Sequence, residues 1–156
     1  MAELELERNQ LIRNVETCRL RDIISPFIGQ WTVLDIIGHV ADSDSRAAAA
    51  LRAFRTSGVG SEPLFECEVP PQGTGQDASM IWPGLERLRA ERELLLAEAA
   101  AFSDEELTAE GSFPFGLMAA CKEHDKLHWH DIAAKLAGMA GARRNGAPNE
   151  PSTSDS

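Results

Sequence analysis

TVLDIIGHVADSDSRAAAALRAFRTSG, residues 32–58, reads as one amphipathic helix, and the fold follows outward from it. Ile36, Val40, Ala47, Leu51 and Phe54 recur at helical spacing and make an apolar stripe. Thr32-x-x-Asp35 has the logic of a capping box, in which a side-chain oxygen answers the orphan N–H groups of the first turn. Here Asp stands where Glu or Gln is usual. Ser57-Gly58 closes the segment.

Three more segments carry the same periodicity. Upstream, about residues 3–24 place Leu4, Leu11, Val15 and Cys18 at heptad-like steps, and Ser25-Pro26 ends the run because a residue before proline disfavours helix. Downstream, Pro83 to Phe102 carries Leu85, Leu88, Leu95 and Ala99 on one side, with Pro83 suited to a first helical position. Ser103-Asp-Glu-Glu106 is a second capping box and opens a short turn. About residues 116–139 line up Leu117, Ala120, Leu127, Ile132, Leu136 and Met139.

Residues 58–82, between the second and third helices, are rich in Gly, Pro, Ser and Gln. Adjacent antiparallel helices need only about 2–8 connecting residues. At ~3.3 Å per residue this segment is long enough to recross a bundle whose helices run ~35 Å. The reading is therefore all-α, a four-helix bundle with a crossover between helices two and three. Residues 1–140 form the single domain, and 141–156, almost without apolar content, read as a flexible polar tail.

Composition narrows the function. At 156 residues there is one core, and a net charge of −10 repels phosphate backbones and anionic membranes. The longest basic run is Arg143-Arg144. The N-terminal MAELELERNQ lacks the features of a secretory signal, and no apolar stretch approaches the ~20 residues that span a bilayer. Cys18, Cys67 and Cys121 are an odd set without CxxC spacing, which reads as reduced thiols. The expectation is a cytoplasmic protein with a small-molecule substrate and neither a nucleic-acid nor a membrane partner.

The histidines carry the chemistry. His124 and His128 are four apart, so one helical turn stacks them with about 5–6 Å between Cβ atoms, close enough to share a metal at ~2.0–2.1 Å. His39 borders the stripe of the second helix. Spacing alone leaves two readings standing, metal ligands or partly buried, hydrogen-bonded histidines. His130 lies about 200° around the helix from His128 and reads as surface.

Gly29-Gln-Trp31-Thr-Val-Leu-Asp35-Ile-Ile-Gly-His39-Val-Ala-Asp42 resembles the helix-two signature of the DinB/YfiT family: a Trp-Thr/Ser opening, an acid, and a ligand His one turn later. His124-Asp-Lys-Leu-His128-Trp-His-Asp-Ile132 resembles its helix-four HxxxH segment, and the likeness extends to about residue 140. It implies an up-down-down-up bundle, a homodimer, and His39, His124 and His128 as the ligands of a divalent metal. Three imidazoles leave an open position, as catalytic sites do. Zinc is the default occupant, and nickel, iron or manganese also suit imidazole. An open position serves a water in hydrolysis or a thiol in S-transfer. The resemblance favours a low-molecular-weight-thiol S-transferase of detoxification type. A metal-dependent hydrolase and a non-catalytic metal-binding dimeric bundle are the alternatives.

Other residues take lesser roles. Asp42 and Asp131, each about one turn beyond a ligand, are candidates to orient it or are simply solvated. Cys121, three before His124, either approaches the metal or packs as a small apolar residue. Arg92 falls on the Leu88/Leu95 stripe, so it either lines a pocket mouth or snorkels outward. Trp31 and Trp82 read as plugs at the starts of their helices, and Trp129 as part of a dimer face.

Overall fold

The first long helix is interrupted where the sequence predicts continuity. A computed structural model describes residues 2–61, 65 and 77–145. In it α1 runs Ala2–Glu16 and a short α2 runs Leu20–Ile23. Between them Thr17 Oγ1 donates to the Asn14 carbonyl at 2.7 Å, and the Cys18 N–H reaches back only three residues, to Val15. A side chain that captures a helical carbonyl competes with the ladder, and neither Gly nor Pro is needed for the break.

α3, Val33–Ser57, starts as expected: Thr32 Oγ1 accepts from the Asp35 N–H at 3.0 Å, and Asp35 accepts the Thr32 N–H at 3.0 Å. A 3-10 turn over Ala78–Met80 leads into α4, Ile81–Ala99, which begins two residues before Pro83. Proline is tolerated there because first-turn N–H groups have no intrahelical acceptor. α5, Asp104–Thr108, carries the Ser103/Glu106 capping box. α6 spans Phe113–Asn145, longer at both ends than predicted. Ser112 Oγ accepts the Phe115 N–H at 3.2 Å and opens it early. Its last turns also take in residues 141–145 of the segment read as a tail. The remainder, 146–156, lies outside the described residues.

Side-chain pairings fix the topology. Gly84 faces Ile37, Arg87 pairs with Asp42, Arg92 with Asp44, and Arg52 with Glu98, so α3 and α4 run parallel. Lys122 pairs with Glu3, Arg8 with Asp125, and Asn14 Nδ2 donates to the Trp129 carbonyl, so α1 and α6 are parallel too. Arg8 with Asp44, and Phe54 against Phe113, set each of these helices antiparallel to α3. This is the up-down-down-up bundle, with the crossover between α3 and α4. A Cβ on Gly84 would lie 2.6 Å from Ile37 Cδ1, so that crossing is close because a hydrogen stands there.

Two apolar clusters fill the interior. One joins Leu11, Val15, Val33, Val40, Leu85, Leu88 and Ile132; the other joins Leu4, Ala47, Leu51, Leu95, Leu117 and Cys121. Leu127, read as core, is 57% exposed. Among the described residues no helix is long and apolar enough to cross a membrane.

Candidate metal centre

The helix register brings His39 of α3 to His124 and His128 of α6. His39 Nε2 lies 2.9 Å from His124 Nε2, which lies 3.1 Å from His128 Nε2, and the ligand atoms all fall within 4.8 Å of one another. The rings stand 76° to 88° apart in plane. A ring nitrogen presents one hydrogen or one lone pair in its plane, so His124 Nε2 cannot make in-line hydrogen bonds to both neighbours. Nitrogens at ~2.0–2.1 Å from a shared ion sit about 3.0–3.4 Å apart. The observed separations suit that arrangement, and the three side chains form a group that could hold a divalent metal.

Two aromatic rings support the imidazoles. Trp31 lies edge-on to His39 at 5.4 Å, and Phe65 lies 5.2 Å from His124. Trp31 is placed by a tight turn: it exchanges backbone hydrogen bonds with Ile28 at 2.9 and 3.1 Å around Gly29, whose φ of 58° few other residues adopt. Trp31 therefore belongs to the site as well as to the helix start. Phe65 comes from the 58–82 connection, and nothing local in sequence distinguishes it.

Burial keeps the site uncharged. It pushes His124 down to about 3, helped by His128 and His39, and His128 down to about 4, helped by His39; His39 is lowered by burial and by Arg46. All three imidazoles are neutral at pH 7, with lone pairs available. They form the floor of a cavity of about 620 Å³ walled by Ile28, Trp31, Ile36 and Phe65, with Leu127 on its α6 side.

A second polar group lies deeper. Arg8, Asp44, Arg92 and Asp125, one from each long helix and none more than 4% exposed, form a buried ionic layer between the two apolar clusters. Arg8 donates from Nε and Nη2 to Asp125 at 3.1 and 2.8 Å, and from Nη1 to the Leu88 carbonyl at 3.0 Å. Arg92 donates to both oxygens of Asp44 at 2.9 and 3.0 Å and to Asp125 at 2.7 Å. Burial opposes the Arg8 charge, but Asp125 and Asp44 outweigh it and raise its pKa. Arg92 thus does not snorkel: Asp44 of α3 and Asp125 of α6 hold it inside, away from the histidine cavity, although with Arg8 it lines a smaller, separate hollow and its Nη1 is buried without a hydrogen-bond partner.

Cys121 is buried within the apolar cluster, and burial raises its thiol to about 12, which leaves it protonated and apart from the three-imidazole group. Cys18 is half-buried, and Cys67 lies outside the described residues. Asp42 pairs with Arg87 of α4 and not with a histidine. Asp131 is exposed and lines the cavity. Trp82, 66% exposed, plugs nothing. Trp129 donates from Nε1 to Glu7 and packs on α1, with His130 stacked on it at 3.7 Å, clear of the other three histidines.

A four-helix bundle with a crossover and three imidazoles able to share a divalent ion is the class that fold and site define. Residues 7–132 match the model of the DinB superfamily, and the chain belongs to that superfamily. No curated protein and no solved structure gave a significant match.

Proposed function

We propose that this chain is a divalent-metal-dependent enzyme, an S-transferase that uses a low-molecular-weight thiol in detoxification, with His39, His124 and His128 as the metal ligands. The observation that supports it is the convergence of three Nε2 atoms on the floor of a cavity large enough for a small molecule. A structural site is closed by a fourth protein ligand, whereas these imidazoles face open space. A divalent ion there, zinc by default and nickel, iron or manganese by availability, supplies Lewis acidity that lowers the pKa of a thiol or water.

The protein's own share is positional. Neutral imidazoles offer their lone pairs at pH 7, Trp31 and Phe65 brace two of them, and apolar walls exclude water from an electrophile held against them. The test is conjugation of a chromogenic electrophile by zinc- or nickel-loaded protein with bacillithiol, mycothiol or glutathione. Activity that disappears with chelator is expected; inactivity with every thiol and metal overturns the transferase reading.

The same open floor supports hydrolysis, which ester and amide substrates would reveal. If purified protein holds less than about 0.2 metal per chain and does not take it up from zinc or nickel, the bundle is non-catalytic. We also propose a homodimer, for which exposed Leu20 and Ile24, in and just after α2, Met80 of the 3-10 turn and Trp82 at the start of α4 offer apolar surface. Sedimentation equilibrium at monomer mass would exclude it.

A further inference from the structure

α6 presents two parallel rows to the cavity. Ala120, His124 and His128 form the inner row, at the floor; Glu123, Leu127 and Asp131 form the outer row, at the rim. The outer row is exposed along its length, with a leucine between two carboxylates about 12 Å apart along the helix axis. Among the described residues every other side chain lining the cavity is apolar or a neutral imidazole, so the two charges they place there are both negative.

Nearby cations do not cancel them. Lys126 approaches Glu123 only loosely, at 3.7 Å, and both are exposed. No ion pair among the described residues engages Asp131, Lys135 one turn on included. Arg46 of α3 lies outside the lining, with its Nη2 on Ser43 Oγ at 3.2 Å. The connection that delivers Phe65 adds none, since no Lys or Arg occurs from residue 56 to residue 86, and Glu62, Glu66 and Glu68 flank Phe65 in sequence.

We propose that this cavity selects amphipathic molecules bearing a fixed positive charge, an ammonium or quaternary ammonium beside an apolar body, with Glu123 and Asp131 as the specificity-determining residues. The apolar body lies along Ile28, Trp31, Ile36 and Leu127, the charged group sits at the rim, and the uncharged or anionic end reaches the imidazole floor. A carboxylate-tailed ligand of the same shape meets like charge at the rim and is disfavoured. The inference deepens the reading above by naming a substrate class, and it rests on this cavity being the substrate site but not on the metal.

The test therefore uses metal-free protein first. Trimethyl(4-phenylbutyl)ammonium, which has no lone pair to ligate an ion, is compared with 4-phenylbutyrate and uncharged 4-phenylbutanol by calorimetry at about 0.15 M salt, where distant charges are screened. Two exposed carboxylates give about tenfold tighter binding of the cation than of the anion. Glu123→Gln/Asp131→Asn reduces the ratio to about one and leaves 4-phenylbutanol unchanged. Glu105→Gln/Glu110→Gln, an equal charge change remote from the cavity, keeps the preference. Equal or tighter binding of the carboxylate, a preference that survives the cavity variant or is lost equally in the remote one, or no saturable cation binding in the millimolar range overturns the proposal. Zinc-loaded protein repeats the series. Failure of thiol conjugation leaves these binding results standing, so the two ideas fail separately.

Discussion

The bundle contains two polar layers, and they are built on opposite rules. The ionic layer of Arg8, Asp44, Arg92 and Asp125 is buried and formally neutral, and it binds its members to one another, with Arg92 Nη1 left unpartnered. The histidine layer, one residue away at His124 and five away at His39, is open to a cavity, and its central nitrogen, His124 Nε2, cannot satisfy both of its neighbours. A self-paired layer spends its polarity on holding four helices in one register; an open one keeps its polarity for something that arrives from outside. Buried charges often stabilise no better than apolar residues of equal volume, so fixing register is the role that fits the first. The second depends on it, because a slip of one turn would separate His39 from His124.

The comparison can be broken most easily at Asp125. Asp125→Ala leaves two guanidinium groups sharing one carboxylate in the core, and we expect a loss of about 3–5 kcal/mol in urea unfolding, or failure to fold. A loss below about 1 kcal/mol would mean that the layer does not hold the helices in register. His124→Ala should act in the opposite sense on the two readouts. Metal content falls from about one per chain toward zero, while metal-free stability changes by less than about 2 kcal/mol for a half-buried side chain. His130→Ala should leave metal content unchanged.

Acidity sharpens the contrast in metal-free protein. His124 and His128 have folded pKa values of about 3 and 4, below the 6.5 of the unfolded chain, so the unfolded state binds more protons between those limits. Stability is therefore full above about pH 6.5 and falls as pH drops toward 4, by at most about 1.4 kcal/mol per pH unit for each imidazole. His124→Ala/His128→Ala should flatten that slope; an unchanged slope would place its origin elsewhere. The smallest effect belongs to a site in neither layer: Ser103→Ala removes a cap and should cost about 1 kcal/mol with metal content unaltered.

Much of this was legible in the sequence where the signal is local. Thr32 and Ser103 mark helix starts through contacts three residues away, and the stripes of α3 and α4 match the buried residues, except Phe54, which is half-buried. The break at Thr17 was not, because it turns on one hydroxyl choosing a carbonyl. The histidine group was readable because His124 and His128 share a turn and the family resemblance supplied His39. The ionic layer was missed although its mark was present. Arg8 falls between Leu4 and Leu11, and Asp44 between Val40 and Ala47, as Arg92 falls between Leu88 and Leu95. One charge on each of these three apolar stripes is a pattern across helices, and each stripe read alone offers only a residue out of place.

The parallel pairings carry one more consequence. α1 finds its parallel neighbour in α6, and α3 finds its own in α4, so each pairing joins opposite sides of the long connection. A chain severed between Ser61 and Asp77 would give two fragments, neither holding a full complement of ionic-layer residues or all three histidines. Each piece alone would expose apolar faces, and mixing them should restore helicity together with metal uptake. The molecule is in effect a heterodimer of its own halves, and complementation would be its natural assay.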